Sequence, residues 1–276
     1  MIVGHGLACP CARATAQQAM QDLIWFPFML VFIAPAVGSF LTVLVDRLPR
    51  DEDVVHARSR CRSCQESLRA WDLVPLVSYI ALRGRCRYCG ANIPAFTFHV
   101  EAMALGAAGM AVVWGSDAVD MAVSALWLWI LIALTACDLT WFRLPNVLTA
   151  ALAFASLIMA VLPGGIALEQ AMIGAVFGVG SFTLLAWGYQ VVRHRVGLGQ
   201  GDVKLMLGLG AFAGPFDLPL LVLVAALLAL LFALLTARRS GGLDPARAVP
   251  FGAALCISGG ILWIARAAEV PSLPLW

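Results

Sequence analysis

Long apolar runs recur along most of the chain, and they limit its possible folds more than any other feature. The clearest run, 218–236, reads LPLLVLVAALLALLFALLT and contains no charged residue. A helix of about 20 such residues crosses the hydrocarbon core of a bilayer. Charged residues make up only 12% of the chain, whereas a soluble domain has about 25%. We therefore predict an all-α polytopic membrane protein, because helices satisfy their own backbone hydrogen bonds in lipid.

The apolar runs predict about eight transmembrane helices. They cover residues 23–45, 99–115, 121–137, 146–162, 170–191, 203–215, 218–236 and 251–267. The run 203–215 is short for a hydrocarbon core about 30 Å thick, so we expect it to be tilted, broken at Gly208, Gly210 or Gly214, or partly sunk among its neighbours. The first run lacks a small-residue cleavage site, which favours a retained span over a cleaved signal.

These runs divide the chain into three parts. We expect an N-terminal segment and first span over 1–45, a soluble loop domain over 46–98, and a transmembrane domain over 99–276. Of the 18 basic residues, all but Lys204 are Arg, and sixteen lie in one set of connections; only Arg13 and Arg266 fall on the other side. The positive-inside rule places the larger set in the cytoplasm. Their clustering in loops between spans argues against nucleic-acid binding.

Two aspartates stand where apolar runs meet this cytoplasmic side. Asp138 follows LWLWILIALTAC, and Asp202 precedes another run within GLGQGDVKL. A carboxylate at the edge of hydrocarbon costs several kcal/mol, about 2.5–3.5 at a span's centre, so we interpret both as functional. Two carboxylates in a poorly solvated site share one proton, as in aspartic proteases. We predict a catalytic dyad in which the ionised aspartate activates water and the protonated one donates to a carbonyl oxygen.

The residues beside Asp202 have two interpretations each. Gly199 and Gly201 let the backbone open from a helix and approach an extended substrate closely, or they simply begin a helix after a loop. Lys204 holds the loop or faces lipid headgroups, and we do not predict a catalytic role for it. We group these three residues with Asp202 as a candidate active-site loop.

The predicted loop domain contains two CxxC pairs. Cys61 and Cys64 form CRSC, Cys86 and Cys89 form CRYC, and 21 residues separate the pairs. This spacing is typical of a tetrahedral four-thiolate zinc site, and a metal would stabilise a segment with few apolar residues. Two disulfides or a redox-active pair are the alternatives, although a reducing cytoplasm disfavours disulfides. Four thiolates leave no open position for water, so the predicted zinc is structural.

Five segments then resemble a known family in their order along the chain. They are GSFLTVLVDRLPR (38–50), RSRCRSC to HVEA (58–102), ACDLTWFRLPNVLT (136–149), GQGDVKLMLGLGAFAG (199–214) and VPFGAAL (249–255). Together they resemble the type IV prepilin peptidases, the bifunctional leader peptidases and N-methyltransferases of type IV pilus and type II secretion systems. Their GxGD motif is shared with presenilin-type intramembrane proteases. The resemblance covers roughly residues 34–260 and implies that Asp138 and Asp202 are the catalytic pair.

The resemblance also implies a substrate, a cofactor and a location. The substrate would be a prepilin or pseudopilin, cut after a Gly at the cytoplasmic face of the bacterial inner membrane. S-adenosylmethionine would methylate the new amino terminus, and no Rossmann-type glycine fingerprint marks where it binds. Glu101, near the start of a span, would bind that amino terminus or the methyl donor, or would only favour the helix start.

The chain departs from the family pattern at several positions, including Thr42, Asn146 and Ala253. None of them is an aspartate of the dyad or a cysteine of the loop. Thr42 lies in the part that is attributed to methylation, so a peptidase without methylation is one alternative. A proton- or metal-coupled transporter is the other, because intramembrane carboxylates suit it equally well.

Overall fold

The computed structural model describes residues 10–54, 59–73, 76–194, 197–240 and 249–268, with side chains throughout except at 10–24, 70, 73, 239 and 240. Its helices are α1 (Pro10–Arg47), α2 (Val77–Ala81), α3 (Ala95–Trp114), α4 (Ala118–Trp141), α5 (Asn146–Val161), α6 (Leu168–Arg193), α7 (Gln200–Ser240) and α8 (Phe251–Ala267), with 3₁₀ turns at Leu48–Arg50 and Ala70–Leu73. Extended structure in these residues is limited to two isolated bridges. The all-α prediction is therefore confirmed.

Each predicted apolar run lies in a helix, although two of the runs share one helix. Five segments are long and apolar enough to cross a membrane: Trp25–Arg50, Ala95–Trp114, Ala118–Trp141, Leu168–Arg193 and Gln200–Arg238. Two shorter apolar helices, α5 and α8, have 16 and 17 residues. The predicted runs 203–215 and 218–236 both lie in α7, which is interrupted at Gly214. The number of helices that cross the bilayer stays a prediction.

The break in α7 has a local cause and a specific partner. Gly214 adopts φ 69°, in the left-handed region that favours glycine. An interrupted helix leaves carbonyl groups without their usual amide partners. The Arg266 guanidinium in α8 donates to the carbonyl oxygens of Phe212 and Ala213, both at 2.7 Å, and to Asp217 Oδ2 at 2.6 Å. The break is thereby satisfied within the bundle.

Helix α4 lies at the centre of the bundle, in contact with α1, α3, α5 and α8. Two of its tryptophans are buried and hydrogen-bonded: Trp127 Nε1 donates to Ser156 Oγ at 2.8 Å, and Trp129 Nε1 donates to the Ala104 carbonyl oxygen at 2.9 Å. On the other side, α6 and α7 meet backbone to backbone, since a Cβ on Gly174 would lie 2.3 Å from the Gly210 carbonyl oxygen. Small residues at such crossings are usual in membrane helices.

The end of α1, the turn between α4 and α5, and the starts of α7 and α8 meet at one end of the bundle. Arg143 Nη1 donates to the Pro49 carbonyl oxygen at 3.2 Å, which joins the turn to the end of α1. Lys204 Nζ donates to Asn146 Oδ1 at 2.8 Å, which joins α7 to α5. We call this region the aspartate end, because both predicted catalytic residues lie there.

Candidate active site and metal centre

Asp138 occupies the last turn of α4 and faces the start of α8. Its side chain is buried, and its Oδ2 accepts a hydrogen bond of 2.7 Å from the Ala253 backbone N–H. The helix ends at Trp141, and the next residue, Phe142, has φ 51° and an N–H that donates to the Asp138 carbonyl oxygen at 3.0 Å. A helix start also favours negative charge. The position of Asp138 is therefore fixed by its own helix end and by α8.

Asp202 occupies the first turn of α7, 64 positions later, and is directed at the same point. Its backbone N–H donates to the Gly199 carbonyl oxygen at 3.1 Å. A Cβ built on Gly252 would lie 2.9 Å from Asp202 Oδ1 and 3.1 Å from Asp138 Oδ2. Asp202 Oδ1 and Asp138 Oδ2 are therefore at most about 6 Å apart, the sum of these two distances. The predicted pair meets across the start of α8.

The other residues of the candidate loop have distinct surroundings. A Cβ on Gly199 would make an ordinary contact of 3.4 Å with Asp202 Oδ2, whereas a Cβ on Gly201 would lie 3.1 Å from Leu144 Cβ. Close packing against Leu144 is therefore the constraint at Gly201. The bond from Lys204 to Asn146 agrees with the interpretation that Lys204 holds the loop.

Gly252 and Leu144 are site residues that sequence reasoning missed. Leu144 Cδ1 would lie 2.9 Å from a Cβ on Gly252, so this leucine closes the site beside both carboxylates. Gly252 lies inside VPFGAAL, which was noticed only as a family-like segment. Its signal in the sequence is the glycine itself at a helix start, two residues after Pro250.

The two CxxC pairs fold into equivalent knuckles. In each knuckle the N–H of the first cysteine donates to a carbonyl oxygen five residues later, and the residue four positions on donates back to the cysteine carbonyl oxygen, all at 2.8–2.9 Å. The bonds join Cys61 with Glu66 and Gln65, and Cys86 with Ala91 and Gly90. Gln65 and Gly90 have positive φ, 58° and 69°. The two halves of the cluster therefore have the same backbone form.

The four sulfur atoms of Cys61, Cys64, Cys86 and Cys89 lie within 4.8 Å of one another. Cys61 Sγ and Cys89 Sγ are 3.8 Å apart. A tetrahedron with metal–sulfur bonds of about 2.3 Å has an edge of about 3.8 Å. The backbone N–H groups of Cys64 and Ser63 lower the pKa of the Cys61 thiol to about 6, whereas desolvation and the neighbouring thiols raise the pKa of the Cys64 thiol to about 12. The thiolate is the form that binds metals, and a bound cation deprotonates its thiol ligands. The cluster therefore fits a metal ion held by four thiolates.

The cysteine region is tied to the bundle at two points. Arg62, within the first knuckle, forms an ion pair with Asp46 of α1. The backbone N–H of Leu76, at the start of α2, donates to Glu101 Oε2 of α3 at 2.7 Å. We call residues 59–94 the four-cysteine domain, of which the structure describes all but 74 and 75.

Comparison with known proteins gives a consistent set of matches. Residues 32–115 match the bacterial peptidase A24 N-terminal domain, and residues 125–234 match the type IV leader peptidase family. A prepilin leader peptidase/N-methyltransferase of Aeromonas hydrophila is 34% identical, over 88% of this chain and 91% of its own. Proteins of the same name from Burkholderia pseudomallei and Neisseria gonorrhoeae are 35% and 30% identical, over 83% of this chain and 74% and 87% of theirs. No solved structure matches the chain.

Proposed function

The chain belongs to the type IV leader peptidase family, and on that premise we propose that it removes the leader of type IV prepilins or type II secretion pseudopilins after a Gly and methylates the new amino terminus. The observation that carries the proposal is the meeting of two carboxylates, Asp138 and Asp202, across Gly252. Both lie at the edge of an apolar bundle, the depth at which a leader joined to a hydrophobic helix would present its scissile bond.

In the proposed reaction the two aspartates act as one acid–base unit. The ionised carboxylate takes a proton from a water molecule, whose oxygen attacks the carbonyl carbon of the scissile peptide. The protonated carboxylate donates its proton to the carbonyl oxygen. When the tetrahedral intermediate collapses, the C–N bond breaks, the leaving amine takes the proton that the first carboxylate removed from water, and the second carboxylate regains a proton from a hydroxyl of the intermediate. The pair titrates as a unit, so the proton belongs to both residues.

The location follows from charge. We place the aspartate end and the four-cysteine domain on the cytoplasmic side of the bacterial inner membrane, in contact with lipid, because the Arg residues concentrate in that set of loops. Arg13, Arg58, Arg195, Arg239 and Arg247 belong to the same argument, and their side chains lie outside the described part of the structure. The termini 1–9 and 269–276 also lie outside it.

The three-part division of the chain completes the proposal. Residues 46–98 would support methylation around a structural zinc at Cys61, Cys64, Cys86 and Cys89, and 99–276 would hold the peptidase site, with 1–45 as N-terminal segment and first span. The 3.8 Å separation of Cys61 Sγ and Cys89 Sγ, which equals the edge of a zinc–thiolate tetrahedron, supports zinc. The printed names of the relatives support methylation, for which S-adenosylmethionine would be the donor. Gly199, Gly201 and Lys204 would shape the loop beside Asp202.

Mass spectrometry of the product tests both activities. Purified protein would be incubated with a prepilin and S-adenosylmethionine, and wild type would be compared with Asp138→Asn and Asp202→Asn. Each substitution should slow cleavage at least about 10²–10⁴-fold, because it removes one acid–base group. Asp51→Asn is the matched control, since Asp51 is exposed near the same end and its φ of 56° suits asparagine.

The outcomes separate the candidate functions. Loss of the leader with gain of one methyl group, in wild type and Asp51→Asn only, supports the full proposal. Loss of the leader without methylation leaves a peptidase alone. Normal cleavage by either dyad variant would refute the catalytic pair. An uncut substrate, with a related peptidase cutting it in parallel, would favour the transport alternative.

A further inference from the structure

A cavity of about 420 Å³ lies between the end of α1, the start of α3 and the four-cysteine domain. We call it the domain cavity. Its walls include Thr42 and Asp46 of α1, Tyr79 of α2, and Phe96 and Glu101 of α3. This volume falls within the range of about 300–1,000 Å³ that is typical of small-molecule sites. The peptidase mechanism makes no use of the cavity.

The carboxylates around the cavity are not equivalent. Two are already neutralised by arginines. The ion pairs are Asp46 with Arg50 and Arg62, and Asp72 with Arg87. Glu101 is only 8% exposed, and within the residues that the structure describes it forms no ion pair. Its carboxylate accepts hydrogen bonds from the backbone N–H of Leu76, at 2.7 Å, and from the Ser39 side chain.

A buried carboxylate that forms no ion pair is costly, so a cationic group of a ligand would be stabilised beside Glu101. Arginines, among them Arg60 and Arg62, also line the cavity and suit a carboxylate of the same ligand. The backbone holds Glu101 firmly at the cavity wall, because a Cβ on Gly38 of α1 would lie 2.7 Å from Glu101 Cα. The two helices therefore touch at this point, which fixes the backbone of Glu101 beside the cavity. A cationic group on a ligand would supply the ion-pair partner that Glu101 lacks among the described residues.

The cavity also offers flat apolar walls. Tyr79 and Phe96 line it, and the Tyr79 ring packs against Phe98 with ring centroids 5.3 Å apart. Rings held by such packing present a fixed face to a planar heterocycle. A ligand that combines a planar base with a positive charge would match both the aromatic walls and Glu101.

We propose that the domain cavity binds S-adenosylmethionine, with its purine against Tyr79 or Phe96 and its cationic sulfonium group opposite Glu101. The proposal rests on the methylation part of the proposed function. The cavity is also well placed for it, since Asp46 lies near the end of α1 and Arg143 joins the same region, at Pro49, to the turn that follows Asp138. A donor bound there lies on the side of the molecule where cleavage exposes the new amino terminus.

Another cavity, of about 370 Å³, does not offer the same chemistry. It is lined by Asp120, Phe212 and Arg266, away from the four-cysteine domain. Its arginine is already engaged with Asp217 and with two carbonyl oxygens, and the Asp120 carboxylate accepts hydrogen bonds from Ser116. Its charged groups are therefore satisfied by the protein itself.

Direct binding measurements on the full chain in detergent test the proposal. Isothermal titration would compare S-adenosylmethionine, whose sulfur is cationic, with S-adenosylhomocysteine, whose sulfur is neutral. Glu101→Gln keeps the size and the acceptor for Leu76 but removes the charge, so the affinity for S-adenosylmethionine should fall about tenfold or more while that for S-adenosylhomocysteine changes less than about threefold. Thr42→Phe fills the cavity and should weaken both ligands. Glu169→Gln, an exposed glutamate in the first turn of α6, should change neither.

Prepilin cleavage by the same samples keeps the two proposals apart. Normal cleavage by every variant shows that the protein is folded and leaves the peptidase function intact. Wild type that cleaves but binds no S-adenosylmethionine would overturn the inference without touching the peptidase. Equal losses for both ligands in Glu101→Gln would also overturn it, since the carboxylate would then not recognise the charge. Binding that survives Thr42→Phe would place the donor elsewhere.

Discussion

The aspartate end and the four-cysteine domain each bring a set of polar side chains together, but they do so through different kinds of structure. Asp138 and Asp202 come from different long helices, and the packing of α4, α7 and α8 brings them together. The four cysteines come from two short knuckles whose hydrogen bonds span at most five residues. The aspartate site depends on apolar packing between helices that are distant in the sequence. The cysteine site depends on local backbone geometry and on the metal that the four sulfur atoms would hold.

The two sites should therefore respond to different perturbations. A site made by helix packing tolerates local changes in loops but fails when a helix surface gains volume, because close-packed interiors cannot absorb extra atoms. A site made by knuckles lacks its own apolar core, so we expect its stability to depend on the proposed zinc ion. Perturbing one region should therefore leave the other largely intact.

The largest expected effect is the loss of the metal. A structural zinc in small thiolate domains contributes about 10–16 kcal/mol, which exceeds what this domain can recover from apolar burial. Cys64→Ser, or treatment with a strong chelator, should abolish amide protection at 59–92 in hydrogen exchange. Protection of α4 and α8, and the rate of prepilin cleavage, should change little.

Methylation is expected to fail in the same samples, because the domain cavity loses a wall. Tyr88→Phe is the control, since this tyrosine lies between the two cysteines of the second knuckle and its side chain is exposed. Cleavage that disappears together with the metal would show that the two regions are coupled and do not respond independently.

A larger side chain at the start of α8 should slow prepilin cleavage and leave the four-cysteine domain unchanged. The Cβ of Gly252→Ala would lie 2.9 Å from Asp202 Oδ1 and 3.1 Å from Asp138 Oδ2, so at least one carboxylate must move. Ordinary contact requires a shift of about half an ångström, and since 1 Å in such a site costs about 10²-fold in rate, cleavage should slow about tenfold. Zinc content and hydrogen exchange of the four-cysteine domain should be unchanged.

Gly260→Ala is the matched control in the same helix, because a Cβ there meets nothing within 4 Å. It should leave cleavage unaffected and slightly stabilise α8, since alanine favours a helix over glycine by about 0.5–1 kcal/mol. A Gly252→Ala variant that cleaves as fast as Gly260→Ala would mean that the two aspartates do not meet at this point.

The two regions also differ in what their sequence reveals. The cysteine cluster could be predicted from the CxxC spacing alone, because all its determinants are local. The aspartates could be predicted as a pair from their position beside apolar runs and from the charge of the loops. Gly252 and Leu144 could not, because what makes them site residues is the approach of α8 to α4 and α7, which no local pattern encodes. The hydrogen bonds from Arg266 to the carbonyl oxygens at the break of α7 could not be predicted either, for the same reason.

The smallest expected effect tests whether local backbone geometry governs the four-cysteine domain. Gln65 and Gly90 occupy equivalent positions in the two knuckles, and both have positive φ. A residue with a Cβ in this conformation costs about 1–2 kcal/mol relative to glycine, and a Cβ at Gly90 would meet no atom within 4 Å. Gly90→Ala should therefore weaken zinc binding about fivefold or more through backbone strain alone.

Gln65→Gly is the reciprocal change and should strengthen zinc binding by a smaller factor. The relief of strain is partly offset by the greater freedom of glycine in the unfolded chain, and the net gain is about 0.5 kcal/mol, or roughly twofold. Competition with a calibrated chelator measures both affinities, and prepilin cleavage should be the same in both variants. Equal zinc affinities for wild type and Gly90→Ala would mean that the knuckle backbone adapts to the metal, so that the ion shapes the knuckle rather than the reverse.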